Sequence, residues 1–221
     1  MTDILVKLST CVEFGKVDKN SPYPPDMKNQ DGAFELTRSA LDSDISPVEI
    51  LEEALIPAMS RVGQKFSRNE IFVPQMLMAA KAMSSSMIHL KPYYLNGQAK
   101  RKGVFIIGTV TGDLHDIGKN LVAMMIEGSG WEIIDLGVDV SADKFMQAAE
   151  THPGAVIGLS ALLTTTMENM RKTVATLKGE YPSLKIFVGG APVTAEFCTK
   201  IGADFYSPDP QGAVEYLKTL A

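Results

Sequence analysis

The chain has 221 residues, a net charge of −5 and a hydrophobic fraction of 45%, which suits one large domain or two small ones with a sizeable core. The negative balance, without any lysine- or arginine-rich block, excludes a nucleic-acid backbone as the expected partner. Cys11 and Cys198 are the two cysteines and lack metal-type spacing, so neither a disulfide framework nor a zinc site is expected, and a reducing cytoplasm suits the chain.

Residues 3–15 have the spacing of one short helix, and without an uninterrupted apolar stretch they read as neither signal peptide nor membrane anchor. Three prolines in residues 15–30 break that helix. Asp31 is placed to cap a second helix running to about Asp42. Ser46-Pro47-Val48-Glu49 marks a third start, with an N-cap serine, a proline in the first turn and a glutamate that can close a capping box. Leu51, Leu55, Ala58, Met59, Val62 and Phe66 follow on one apolar face, with Pro57 expected to kink the helix. A fourth helix is expected from about Pro74. Residues 1–95 thus read as a four-helix bundle with an N-terminal extension to about residue 30, and the polar stretch 96–103 as a linker.

From residue 104 the pattern changes. Short apolar runs (GVFIIGTV, WEIIDLG, AVIGLS, LKIFVGG and ADFYS) alternate with helical stretches expected at about 115–129, 141–151 and from 210. Apolar runs separated by helices predict parallel strands covered on both faces, hence an α/β, doubly wound (flavodoxin-like) five-stranded sheet over residues 104–221. Ligands of such sheets sit beyond the carboxyl ends of the strands. Those ends carry TGDLHDIG after the first strand, SALLTTT after the third and GGAPV after the fourth.

Asp113 and His115 lie two apart in the first of these segments, so the carboxylate can reach one ring nitrogen and leave the other as a metal ligand. Gly118 lets a bulky group approach the start of the following helix. The glycines do not match G-x-G-x-x-G, and no P-loop lysine accompanies them. Taken alone, His115 could also be an ordinary residue near a helix start or a hydrolytic base. Likewise SALLTTT could be a capped strand end and Gly189-Gly190 a tight turn.

Together, Asp113-x-His115-x-x-Gly118, Ser160-x-Leu162 and Gly189-Gly190 resemble the cobalamin-binding signature. The helical half resembles the cap bundle of cobalamin-dependent methionine synthase and of the small corrinoid proteins of methanol, methylamine and aryl-methyl-ether methyltransferase systems. The resemblance extends from about residue 31 onward. It implies cobalamin or a related corrinoid as cofactor, with His115 as the lower axial ligand of cobalt. Asp113 would bond the other ring nitrogen and Thr166 complete the relay, where methionine synthase has serine. Asp116, Ile117 and Gly118 would face the corrin. Ser160, Leu162 and Thr164 would line a slot for the displaced nucleotide tail, with Gly189 and Gly190 clearing it. In the cap, Phe66, Val73 and Met76 match positions over the upper face.

The implied function is a methyl carrier of one-carbon metabolism without a complete active site of its own. Cobalt(I) would take a methyl group from a substrate on a partner methyltransferase. Methylcobalt(III), the methylcobalamin form in turnover, would give it to a thiol or tetrahydropterin on an acceptor methyltransferase. A corrinoid-reducing activase is a third implied partner; neither nucleic acid nor membrane is. The alternative is the small subunit of an adenosylcobalamin-dependent mutase, which typically lacks the cap of residues 31–95. A cobalamin-sensing regulator would need a DNA-binding region that the first 30 residues do not supply. A doubly wound domain without cobalamin is the remaining alternative.

Overall fold

The computed structural model describes residues 2–95, without the Leu95 side chain, and 101–220; most of the expected linker, residues 96–100, lies outside the described residues. The chain forms two compact units, Met1–Arg101 with Gly128–Gly130, and Lys102–Glu127 with Trp131–Ala221.

The first unit is helical. Helix α1 (Asp3–Phe14) packs on α2 (Ala33–Asp42), α4 (Ile56–Ser67) and α5 (Val73–Leu95). The expected cap of α2 is displaced by one residue. Gly32, not Asp31, is the N-cap, and its N–H donates to Glu35 Oε2 at 2.9 Å. A side chain at 32 would place its Cβ 2.5 Å from Asp18 N, so the close approach of two backbones selects glycine. Ser46 caps α3 (Pro47–Glu49) as expected, accepting from Glu49 N–H at 3.1 Å.

The kink expected at Pro57 takes the form of a π-helical segment, Ile50–Leu55, leading into α4. Proline has no N–H to donate and its ring crowds the carbonyl four residues back; widening the preceding turns relieves both. Leu5, Leu8, Val12, Leu55, Val62 and Leu90 are fully buried. Each full burial contributes roughly 1.5–3 kcal/mol relative to exposure. Among the described residues no helix is long and apolar enough to cross a membrane.

The second unit carries β1 (Val104–Thr109), β2 (Glu132–Asp135), β3 (Val156–Ser160), β4 (Ile186–Gly189) and β5 (Phe205–Tyr206), all parallel in the order β2-β1-β3-β4-β5. Helices α6 (Ile117–Gly128), α7 (Ala142–Thr151), α8 (Met167–Glu180), α9 (Ala195–Ile201) and α10 (Pro210–Leu217) alternate with the strands. Ile106, Ile157, Leu159, Ile186 and Val188 from the sheet form one core with Phe145 of α7 and Met170, Val174 and Leu177 of α8. The chain leaves β1 for β2 on one side and later returns to β3 on the other. The loops after β1 and β3 therefore diverge and open a crevice at their carboxyl ends.

Candidate functional site

The crevice between β1 and β3 is organised around one buried carboxylate. Asp113, fully buried in the loop after β1, accepts at Oδ1 from His115 Nδ1 (2.7 Å) and His115 N–H (3.1 Å). Its Oδ2 accepts from Leu162 N–H (2.7 Å), Leu163 N–H (3.2 Å) and Thr166 Oγ1 (2.7 Å). Burial opposes ionisation of this carboxyl, but the Leu162 N–H, the Thr166 hydroxyl and the two His115 donors outweigh it and hold the pKa far below the ordinary carboxylate value.

An ionised carboxylate can only accept, so Nδ1 of His115 carries the proton and the Nε2 lone pair is left over. Nε2 has no hydrogen-bond partner among the described residues, and the side chain is 51% exposed. The backbone is held separately: Thr109 Oγ1 at the end of β1 donates to His115 O at 2.8 Å. Sequence reasoning anticipated Asp113 and Thr166 as partners but missed Thr109 and the Leu162 and Leu163 amides. Backbone donors leave no mark in a residue pattern. A buried threonine at a strand end did offer a signal.

Around the ring the surface is apolar: Leu114 and Ile117 are each 71% exposed, and Leu162 and Leu163 each 42%. Such grouped exposure marks a binding surface more often than a solvent face. Asp116 is exposed and accepts from Asn120 Nδ2 at 3.1 Å. A Cβ added at Gly118 or Gly189 would meet nothing within 4 Å, so both glycines border open space. Gly190 differs. With φ 130° and a Cβ that would fall 1.8 Å from Ala161 O, it is required by the contact of its own strand end with the β3 loop. Ser160 is half-buried at the end of β3 and Thr164 is exposed.

Phe66, Val73 and Met76 belong to the helical unit. Phe66 and Val73 are half-buried, and Met76 is 1% exposed. The neighbouring Phe72 is 63% exposed. Cys11 and Cys198 are buried, and burial raises the pKa of both thiols, that of Cys11 to about 11.

Thr166 Oγ1 also lies 2.9 Å from Leu163 O, but its single proton goes to the carboxylate, the stronger acceptor. Thr166→Val should therefore cost about 1–3 kcal/mol through the lost bond to a charged acceptor. Thr166→Ser should stay within about 0.5 kcal/mol of wild type in urea denaturation. Equal losses for both would show that the methyl packing, not the hydroxyl, matters.

Among the described residues no group of three or more His, Cys, Asp or Glu could hold a metal ion. A single histidine with one ring nitrogen anchored and the other exposed beside an apolar surface fits a metal whose remaining ligands come from a macrocycle.

Comparison with known proteins agrees with this chemistry. A B12 binding domain model matches residues 103–214, and a second model of the same description matches residues 29–91. Dimethylamine corrinoid protein 1 of Methanosarcina acetivorans is 41% identical over 180 residues, 80% of this chain and 84% of that protein. The trimethylamine corrinoid protein of Methanosarcina barkeri is 40% identical over 190 residues, 84% of this chain and 88% of that protein. The crystal structure of a cobalamin-binding protein from Desulfitobacterium hafniense DCB-2 superposes with a TM-score of 0.72 at 29% identity, covering 97% of this chain and 98% of that one. The chain belongs to the family of B12-binding corrinoid proteins.

Proposed function

We propose that this protein is a methyl carrier whose corrinoid is ligated by His115. The observation that carries this reading is the Asp113-anchored ring, with Nε2 unpartnered among the described residues and exposed apolar residues beside it. When bound, the corrinoid supplies a cobalt centre able to accept and pass on a methyl group. The chain's own residues do the rest. Nε2 of His115 would ligate cobalt, and Asp113 keeps the proton on Nδ1 and the ring in one orientation. Thr166 and the Leu162 amide keep Asp113 charged.

Leu114, Ile117 and Gly118 would face the corrin, while Ser160, Leu162, Thr164 and Gly189 would line the slot for the nucleotide tail. Residues 104–221 would hold the cofactor. The names of the relatives support a methylamine-class methyl donor presented by a substrate methyltransferase. An acceptor methyltransferase and a corrinoid-reducing activase complete the partner set, in the cytoplasm.

The test is electron-spin resonance of the protein loaded with cobalamin and poised as cobalt(II). Nitrogen splitting from the protein is expected in wild type and absent in His115→Ala. Loss of the ring's bond to the Asp113 carboxylate should cost that variant about 1–3 kcal/mol, as for Thr166→Val, which leaves it folded for the measurement. Wild-type protein without protein-nitrogen splitting, or radical formation with adenosylcobalamin in place of methyl transfer, would overturn the reading.

A further inference from the structure

His115 also depends on a residue far from its motif. Beyond β2 the chain continues alongside the β1 loop. Thr109 N–H donates to Gly137 O (3.0 Å), Val140 N–H to Thr109 O (2.9 Å) and Thr111 Oγ1 to Val140 O (3.0 Å), and Val110 and Val140 form a parallel bridge. Between Gly137 and Val140 the backbone takes a left-handed step at Asp139, φ 52°. L side chains disfavour this conformation, and aspartate and asparagine tolerate it best.

The step turns both polar groups of Asp139 onto the same stretch of loop. Its N–H donates to Asp113 O at 3.0 Å, and its Oδ1 accepts from Gly112 N–H at 2.7 Å. The side chain is otherwise exposed, so core packing does not account for it. A backbone conformation held against intrinsic preference, with both groups spent on one neighbour, is strain retained for position.

We propose that Asp139 is a positioning residue for His115. By clamping the backbone of Gly112 and Asp113 from both sides it fixes where the buried carboxylate starts, and so which way the imidazole points. An aspartate side chain has two torsions, so a loose backbone at 113 would carry its carboxylate away from Leu162, Thr166 and the ring together. The inference rests on the corrinoid reading for its purpose but not for its geometry.

The test compares Asp139→Gly with Asp139→Asn in the full chain. Glycine keeps the left-handed step and the N–H but loses the acceptor; asparagine keeps all three. In corrinoid-free protein, nitrogen NMR of the His115 ring and hydrogen exchange of its amide report the clamp, with the Ile107 amide of β1 as internal reference. In Asp139→Gly, the His115 amide is expected to exchange about tenfold faster or more, as loss of a charged hydrogen bond implies. Ile107 should be unchanged, and the ring should shift from the single Nδ1–H form to a mixture. Asp139→Asn should stay within about threefold of wild type.

In protein loaded with cobalamin, the fraction showing protein-nitrogen splitting should fall in Asp139→Gly and be retained in Asp139→Asn. Wild-type ring and amide signals in Asp139→Gly would overturn the proposal. So would equal acceleration at Ile107, or an Asp139→Asn variant as loose as Asp139→Gly. If wild type takes up no cobalamin, the corrinoid reading fails while the ring and exchange measurements still decide the clamp.

Discussion

Asp113→Ala is expected to destabilise the sheet-bearing unit by about 3–5 kcal/mol, the range for breaking a buried charged network by removing one partner. Four donors converge on this carboxylate besides the ring: the amides of His115, Leu162 and Leu163 and the Thr166 hydroxyl. Truncation strands them together, and a buried donor without a partner costs more than its bond had contributed. Urea denaturation followed by fluorescence of Trp131, the chain's one tryptophan, reads the loss, because Trp131 lies in that unit. A loss below about 1 kcal/mol would show that water replaces the carboxylate, contrary to its complete burial.

The same residue sets an acid limit. Its folded pKa is held below the ordinary value of 3.8, so its contribution is fully present above that value and is lost as pH falls through the folded one. The gap in stability between wild type and Asp113→Ala should therefore be constant from pH 7 to about 5. Below the ordinary value it should narrow by about 1.4 kcal/mol per pH unit. A gap that widened on acidification would mean that the carboxyl is neutral in the folded protein.

Gly190→Ala should have an effect at least as large, above about 4 kcal/mol or loss of folding altogether. The added carbon would fall 1.8 Å from Ala161 O and 2.8 Å from its carbonyl carbon, and backbone cannot rotate away as a long side chain could. The left-handed φ of 130° adds strain that an alanine cannot relieve. Gly189→Ala is the control. Its Cβ enters open space, so stability should move by less than about 1 kcal/mol, while corrinoid affinity should fall if the nucleotide tail occupies that space. Equal yields of folded protein for the two variants would contradict the geometry at 190.

The contrast between these adjacent glycines shows where residue patterns reach their limit. As a pattern the two glycines look alike, and only the backbone path of the β3 loop shows that Gly190 alone is forced by a neighbouring carbonyl. The parallel sheet was legible because buried strands must be continuously apolar, and Ile106, Ile157 and Ile186 follow that rule. Asp113 and His115 were legible because their spacing and position after β1 leave few chemistries open. Three features were hidden for a common reason. The Leu162 and Leu163 amides, the left-handed step at Asp139 and the exact form of the bend before Pro57 are events of the backbone, which side-chain type permits but does not by itself specify. Met76 shows the same limit, because a methionine on an amphipathic helix suits a ligand surface and a core equally well.

The two outer strands bear on how this sheet resists pairing with another chain. A sheet margin offers unpaired amides and carbonyls that any passing extended chain can adopt. Here one margin is a strand of two residues, Phe205–Tyr206, and the other a strand of four that begins with Glu132 and ends with Asp135. The first is too short to template a neighbour. In the second the exposed Glu132 sets a charge at its start, while Asp135 at its end is tied to Lys119.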